Sequence, residues 1–249
     1  AVSKGVVDMA IIPTSFYPSV VPGADTMRLS EITTQEQRSN GTYALQREIH
    51  AKAGLYFLGN LTPMPQNFFY VVMRKPIDSR EEFKHVKIGG TPPFLPCFKA
   101  LGATPVKATL KEYYTMVERG VIDGNIVGLD IYPAIGEYEV APYVIDHPIY
   151  KATNAVIMNL EKWNNLPKSA QKQLTEAQIE FEKESAKFWE VEYTKIRKNL
   201  KEQGVKFIEF SPDVAEWYTS TFYQAGWEYS EKNFPSDVVS GFKKLITRE

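Results

Sequence analysis

Two short stretches of this chain repeat one another, and the repeat limits the fold more than any other feature. Met116 to Ile126 reads Met-Val-Glu-Arg-Gly-Val-Ile-Asp-Gly-Asn-Ile, and Ala1 to Ile11 reads Ala-Val-Ser-Lys-Gly-Val-Val-Asp-Met-Ala-Ile. Laid together, Val2, Gly5, Val6, Asp8 and Ile11 meet identical residues at Val117, Gly120, Val121, Asp123 and Ile126, an offset of 115 (120 minus 5). Lys4 also meets Arg119. A basic residue in the last helical turn complements the negative end of the helix dipole. Glycine just beyond it takes the left-handed conformation that closes a helix. The β-branched pair that follows starts a strand whose unbroken apolar character predicts burial on both faces, as in a parallel sheet. Two lobes built on one plan would produce this echo. Gly-Val-x-Asp is also a common exit from helix to strand, so the echo alone leaves coincidence open.

Composition narrows the function classes. A chain of 249 residues makes one large or two ordinary domains. With 43% hydrophobic and 13% aromatic residues it can build a substantial core, which argues against disorder. Lys plus Arg is 29 against 30 for Asp plus Glu, with no basic run, so no nucleic-acid partner is expected. No apolar run is long enough to cross a membrane. Cys97 is the single cysteine, which excludes an internal disulfide and a cysteine metal site. No signal peptide is visible, and Ala1 falls inside a helix end with nothing before it to start that helix. The leading elements, and any targeting segment, are therefore expected to be absent from this sequence.

Strand and helix signals alternate along the chain. Val6–Ile12, Leu55–Gly59, Phe68–Met73, Val86–Ile88, Thr104–Val106, Val121–Ile122, Tyr143–Asp146, Ala155–Asn159 and Val205–Phe210 read as strands. Thr33 or Thr34 caps a helix running to about Ala53, with Gly54 as its stop. Pro92 or Pro93 opens a helix to Leu101, and Thr109 caps one that ends at Arg119. Glu161-Lys162-Trp163-Asn164 reads as a turn. From Pro167 to Gln203 there is neither an internal proline nor a glycine, which predicts a helix roughly 54 Å long at 1.5 Å per residue. Its apolar residues keep to no single seam, so a helix lying across two lobes fits better than a coiled coil. The class is α/β.

Reactive chemistry is hard to find. His50, His85 and His147 have no metal-ligand spacing, and His50 and His85 read as surface residues. No Gly-x-Ser-x-Gly elbow, P-loop or Gly-x-Gly-x-x-Gly is present. Cys97 beside Phe98 reads as a small core residue, and Asp8 and Asp123 as turn or cap residues. The pattern favours binding without catalysis. An α/β enzyme is the rival reading, and it would need a clustered acid, base or metal.

One ordered set of residues carries a family resemblance. Phe83-Lys84-His85-Val86-Lys87-Ile88, Lys99-Ala100-Leu101-Gly102-Ala103-Thr104-Pro105-Val106, Glu112-Tyr113-Tyr114 and Glu118 to Gly124 follow in order, with Trp163 and Leu166-Pro167 opening the long helix. Together they resemble the solute-binding protein of a tripartite ATP-independent periplasmic (TRAP) transporter, of the dicarboxylate-receptor (DctP) type, from Ala1 to about Phe210. The resemblance implies a two-lobed class II periplasmic-binding-protein-like fold with crossing strands. The expected first lobe is 1–67 and 155–195, the second 68–154 and 196–249, with the helix 167–203 across both. It implies an extracytoplasmic, periplasmic receptor, expected to be a monomer without a cofactor or a metal. The receptor would close by hinge motion over a small-molecule solute and deliver it to TRAP membrane permease subunits. A ligand-sensing domain of a signalling protein is the rival within the binding class.

Such receptors usually hold a carboxylate with an arginine after the Lys-Ile pair, but here Lys87-Ile88 is followed by Gly89 and Gly90. Phe69, Val127, Pro13 and Phe16 likewise stand where related receptors place basic, polar or charged groups. The residues expected to face the solute are Pro13, Thr14, Phe16, Tyr17, Phe69, Gly89, Gly90, Thr91, Leu110, Asn125, Val127, Asp130, Tyr132 and Asn154. Two solute classes follow. One is less anionic or more aromatic than a simple acid and rests on Phe16, Tyr17, Phe69, Leu110 and Tyr132. The other is an organic acid anchored by backbone N–H groups at Gly89-Gly90-Thr91, where the Pro92 helix points its positive end. In that case Arg28, Lys107 or a residue of the leading segment would add charge. A degenerate cleft lined by ordinary core aromatics is the remaining alternative.

Overall fold

Both copies of the repeated junction close in the same way in the computed structural model, which describes residues 1–61, 69–151 and 153–248. Gly5 and Gly120 sit at φ 70° and 69°. The Gly120 amide donates to the Val117 carbonyl at 3.0 Å and the Val121 amide to Met116 at 2.9 Å; Gly5 donates to Val2 at 2.9 Å and Val6 to Ala1 at 3.2 Å. This two-bond closure satisfies helical carbonyls that would otherwise be orphaned. It also overturns the expectation that the next residues enter a strand. The Val6, Val121 and Ile122 amides are spent backwards, Val6, Val7 and Val121 are 78%, 45% and 47% exposed, and the strands begin only at Met9 and Gly124. Asp123 makes the transition: its amide donates to Lys87 O at 2.7 Å and its carboxylate accepts from Lys87 N at 2.9 Å.

The chain runs β1 (Met9–Pro13), α1 (Thr34–Ser39), α2 (Thr42–Ala51), β2 (Leu55–Asn60), β3 (Phe69–Met73), β4 (Lys87–Gly90), α3 (Leu95–Ala100), β5 (Thr104–Lys107), α4 (Tyr113–Glu118), β6 (Gly124–Gly128), β7 (Tyr143–Ile145), β8 (Asn154–Asn159), α5 (Leu160–Asn165), α6 (Lys168–Glu202), β9 (Lys206–Ile208), α7 (Pro212–Asn233) and α8 (Ser236–Ile246). Residues 62–68, including Phe68 at the start of the expected strand Phe68–Met73, lie outside the described residues. The helix expected from Thr33 to Ala53 is two. Thr33 caps α1 in a reciprocal box with Glu36. Gly41 at φ 98° then breaks the run, with Asn40 Oδ1 accepting from the Thr42 amide at 3.1 Å. The expected turn at Glu161 is the helix α5, capped by Asn159 Oδ1. The expected helix from Pro92 begins as a three-residue 3₁₀ turn, Pro92–Phe94.

Two compact units divide the chain, the first being Ala1–Gln66, Lys151–Glu190 and Ser230–Glu249, the second Asn67–Tyr150 and Val191–Tyr229. α6 contributes residues to both. The first unit holds a three-stranded sheet in the order β1-β8-β2, antiparallel throughout, so the parallel arrangement read from Val6 does not apply there. Trp163 stacks on Tyr56 at 3.7 Å. Ser230–Glu249 belongs here, not in the second lobe as expected. The apolar face of α8 (Val238, Phe242, Ile246) is buried, and a Cβ on Gly23 would lie 2.5 Å from Val238 Cγ1. Residues at that spacing face one way on a helix and require a partner surface.

A mixed six-stranded sheet, β5-β4-β6-β3-β7-β9, organises the second unit. β4 runs parallel to β5 and β6, while β3 is antiparallel to β6 and β7. Phe83, Phe210, Trp217 and Tyr218 interlock around it with ring centroids 5.4–6.3 Å apart. Among the described residues, no helix is long and apolar enough to cross a membrane.

Candidate functional site

Strand direction places the candidate residues in two groups, one on each unit. In the second unit the parallel strands β4, β5 and β6 end at Gly90, Lys107 and Gly128. Thr91, Leu110, Asp130 and Tyr132 therefore follow the carboxyl ends of the sheet. β3 runs the other way and begins at Phe69, directly opposite Gly128, so Phe69 shares that edge. Ligands of open α/β sheets bind beyond such carboxyl ends. In the first unit β1 ends at Pro13, paired with Asn154 at the start of β8, while β2 ends at Asn60 opposite Ala155. Thr14, Phe16 and Tyr17 continue from that edge as a 3₁₀ turn and its exit.

The first-unit turn rests on buried polar groups. The Thr14 amide donates to Thr153 O at 2.9 Å, and its hydroxyl donates to Asp25 Oδ1 at 2.9 Å. Asp25 pairs with Arg28 at 3.1 Å, both fully buried. Arg28, considered above as a cation for the solute, has its charge met inside the unit. Phe16 projects outward, 75% exposed, while Tyr17 turns in and meets His50 Nε2 through its hydroxyl at 3.0 Å. His50 is thus not a surface residue. Its Nδ1 lies 2.7 Å from Gln46 O, and burial pushes its pKa down to about 4. The sign follows directly. The unfolded chain binds a proton at His50 below about pH 6.5 and the folded one does not until about pH 4. Stability is therefore lost as pH falls through that window, by up to about 3 kcal/mol. Urea unfolding across this pH range should show that loss, and His50→Phe should flatten the slope.

At the second-unit edge an aromatic chain stands in place of charge. Phe69 is half-buried and meets the Tyr150 ring edge-on at 4.9 Å, and Tyr150 meets Phe94 at 4.8 Å. Tyr150 and Phe94 were not among the expected residues. Gly89 and Gly90 lie inside β4, buried, with their faces occupied. A Cβ on Gly89 would fall 2.7 Å from Ile122 Cδ1, and one on Gly90 2.9 Å from Phe98 Cε2. A long side chain at position 89 would have to displace Ile122. The turn that follows the expected amide anchor adds no free donor through Phe94. Pro92 and Pro93 have no N–H, and the Phe94 amide donates to Thr91 O at 2.9 Å.

Lys107 is exposed opposite Gly90, and Leu110 is exposed beyond it. Val127 and Tyr132 are buried, and the Tyr132 hydroxyl donates to Ala141 O at 2.5 Å. Asn125 is buried in β6 and donates to Glu137. Asp130, half-buried, has its pKa raised by burial, opposed by the Asp130 and Ile131 amides. Cys97 is buried, in keeping with a core role. Among the described residues, no cluster of three or more His, Cys, Asp or Glu side chains could hold a metal ion. A surface groove of about 620 Å³ along α6, lined by Tyr193, Arg197 and Lys201 among others, shares no residue with either group.

Comparison with known proteins adds the family. The model of the bacterial extracellular solute-binding proteins, family 7, matches residues 1–228. An uncharacterised Haemophilus influenzae protein is 27% identical over 128 residues, 51% of this chain and 37% of that protein. The matched part is thus little more than a third of that relative's length. Among solved structures, the periplasmic ectoine-binding protein of the TeaABC TRAP transporter of Halomonas elongata is 19% identical, covering 98% of this chain and 84% of its own, with a TM-score of 0.81. A TRAP periplasmic solute-binding protein of Desulfovibrio salexigens, holding orotic acid, is 18% identical over 98% and 81% of the two chains, with a TM-score of 0.83. One from Desulfovibrio desulfuricans, holding sn-glycerol-3-phosphate, is 17% identical over 100% and 82%, with a TM-score of 0.83. These likenesses show the two-lobed α/β fold with its long helix, α6. The chain belongs to family 7 of the bacterial extracellular solute-binding proteins.

Proposed function

We propose that this protein is the solute receptor of a TRAP-type transporter. It captures a small organic molecule in the periplasm and delivers it to the membrane permease, acting as a monomer and without chemistry of its own. Family membership carries this reading. It is supported by the convergence of the candidate residues beyond the carboxyl ends of β4, β5 and β6.

The solute class follows from Gly89 and Phe69. No side chain projects from position 89 and Ile122 fills the space beside it, while Phe69 offers a half-buried ring at the same edge. A solute with an apolar or aromatic face and little net negative charge suits such a surface. Solved relatives of this fold include an ectoine-binding protein and proteins holding orotic acid and sn-glycerol-3-phosphate, a range from ring-bearing to strongly anionic ligands. Titration calorimetry against ectoine, orotic acid, sn-glycerol-3-phosphate and succinate separates the possibilities. Ring-bearing compounds should bind at least about tenfold more tightly than succinate, and Phe69→Ala should weaken them by about 1–2 kcal/mol through lost stacking. Tight succinate binding unaffected by Phe69→Ala would overturn the aromatic reading. Mass spectrometry of any molecule carried through purification would identify the solute directly.

A further inference from the structure

Asn125, in the middle of β6, and Glu137, at the start of the 3₁₀ turn Glu137–Glu139, are both fully buried in the second unit. Asn125 Nδ2 donates to Glu137 Oε1. The other oxygen of each group, Asn125 Oδ1 and Glu137 Oε2, has no hydrogen-bond partner among the described residues. Leaving two buried acceptors unsatisfied is costly, and native proteins rarely do so. One hydrogen on the carboxyl resolves both. A neutral acid donates its O–H to Oδ1 while its second oxygen continues to accept from Nδ2. Turning the amide over does not remove the need, because Oδ1 would then face Oε1, again two acceptors in contact.

We propose that Glu137 is a neutral acid in the folded protein and closes a two-bond ring with Asn125, a proton-dependent clasp between β6 and the segment after Tyr132. The titratable groups facing it are the Tyr113 phenol from α4 and the Tyr132 phenol from its own segment, both pushed further up by burial and by Glu137. β6 brings only the Asn125 amide. Burial independently moves Glu137 up to about 7 from 4.5, with the Asn125 bond opposing the shift. The folded state therefore keeps a proton that the unfolded chain has lost. The resulting stability is full below about pH 4.5, falls as pH climbs to about 7, and is level beyond. This slope is opposite to that of His50, so only a difference between variants isolates it.

Two measurements on the full chain test the clasp. Glu137→Gln reproduces the neutral ring, since its amide donates to Oδ1 and its oxygen accepts from Nδ2. Relative to this variant, the native protein should lose roughly a hundredfold in its folding equilibrium constant between about pH 4.5 and 7. Infrared difference spectra of native protein labelled with ¹³C-glutamate should show a carboxylic-acid carbonyl band that titrates near neutral pH. The label separates it from buried Asp25, whose pKa burial also raises. An identical pH slope in Glu137→Gln, or the absence of the labelled band because an ionised carboxylate holds bound water, would overturn the proposal. Should the variant fail to fold, the labelled band in the native protein decides alone.

Discussion

Glu182→Ala is expected to lower the unfolding free energy by about 3–5 kcal/mol, because it strands a cation and three polar donors around an empty position. Glu182 reaches inward from α6 and is 1% exposed. Its carboxylate accepts from Arg38 Nε and Nη2, the latter at 2.8 Å, from the Tyr43 hydroxyl at 2.9 Å, from the Asn60 amide at 3.0 Å and from Gln178 Nε2 at 3.0 Å. α1, α2 and β2 thus share one acceptor. Gly59 supplies its seat, since a Cβ there would run into Glu182 Oε1. Urea unfolding would measure the loss, and a change below about 1 kcal/mol would show that the network contributes little. Pairing Glu182→Leu with Arg38→Met should recover much of the deficit, because removing both charges leaves none unpaired.

Gly124→Ala is expected to cost about 3 kcal/mol, at the upper end for overpacking. Gly124 opens β6, paired with Met73 on one side and Ile88 on the other. A Cβ would press on the Val72 carbonyl and Met73 Sδ, and would lie 3.2 Å from Met73 Cα. Two of these atoms are backbone in the middle of a sheet, so neither strand can yield without breaking ladder bonds. The second unit's thermal transition should fall accordingly. An unchanged midpoint would mean that β3 and β6 can separate slightly at this point, against the close packing expected of interiors.

What was legible in the sequence was mostly local. The closures at Gly5 and Gly120, the Thr33 cap and the course of α6 to Gly204 each depend on residues within one or two turns of each other. The family was legible because many such local signals kept one order. Failures came where a distant partner decided the outcome. His50 read as a surface residue on its helix, and only the fold brings the Tyr17 hydroxyl to it. Tyr150 lies 81 residues from Phe69 (150 minus 69), so no spacing rule could pair their rings. Gly89 signalled missing charge, but not that Ile122 occupies the space. The Asn40-Gly41 break was a local signal overridden by helical periodicity on either side.

The strand order β1-β8-β2 has a consequence for synthesis. β1 and β2 do not pair with each other; each pairs with β8, which ends at Asn159. A further 99 residues (159 minus 60) must be made after β2 is complete before the strand that joins it to β1 exists in full. At 5–20 residues per second that delay is about 5–20 s. Such non-local pairing slows folding, so the β8 contacts that join this sheet form only after the middle third of the sequence has emerged.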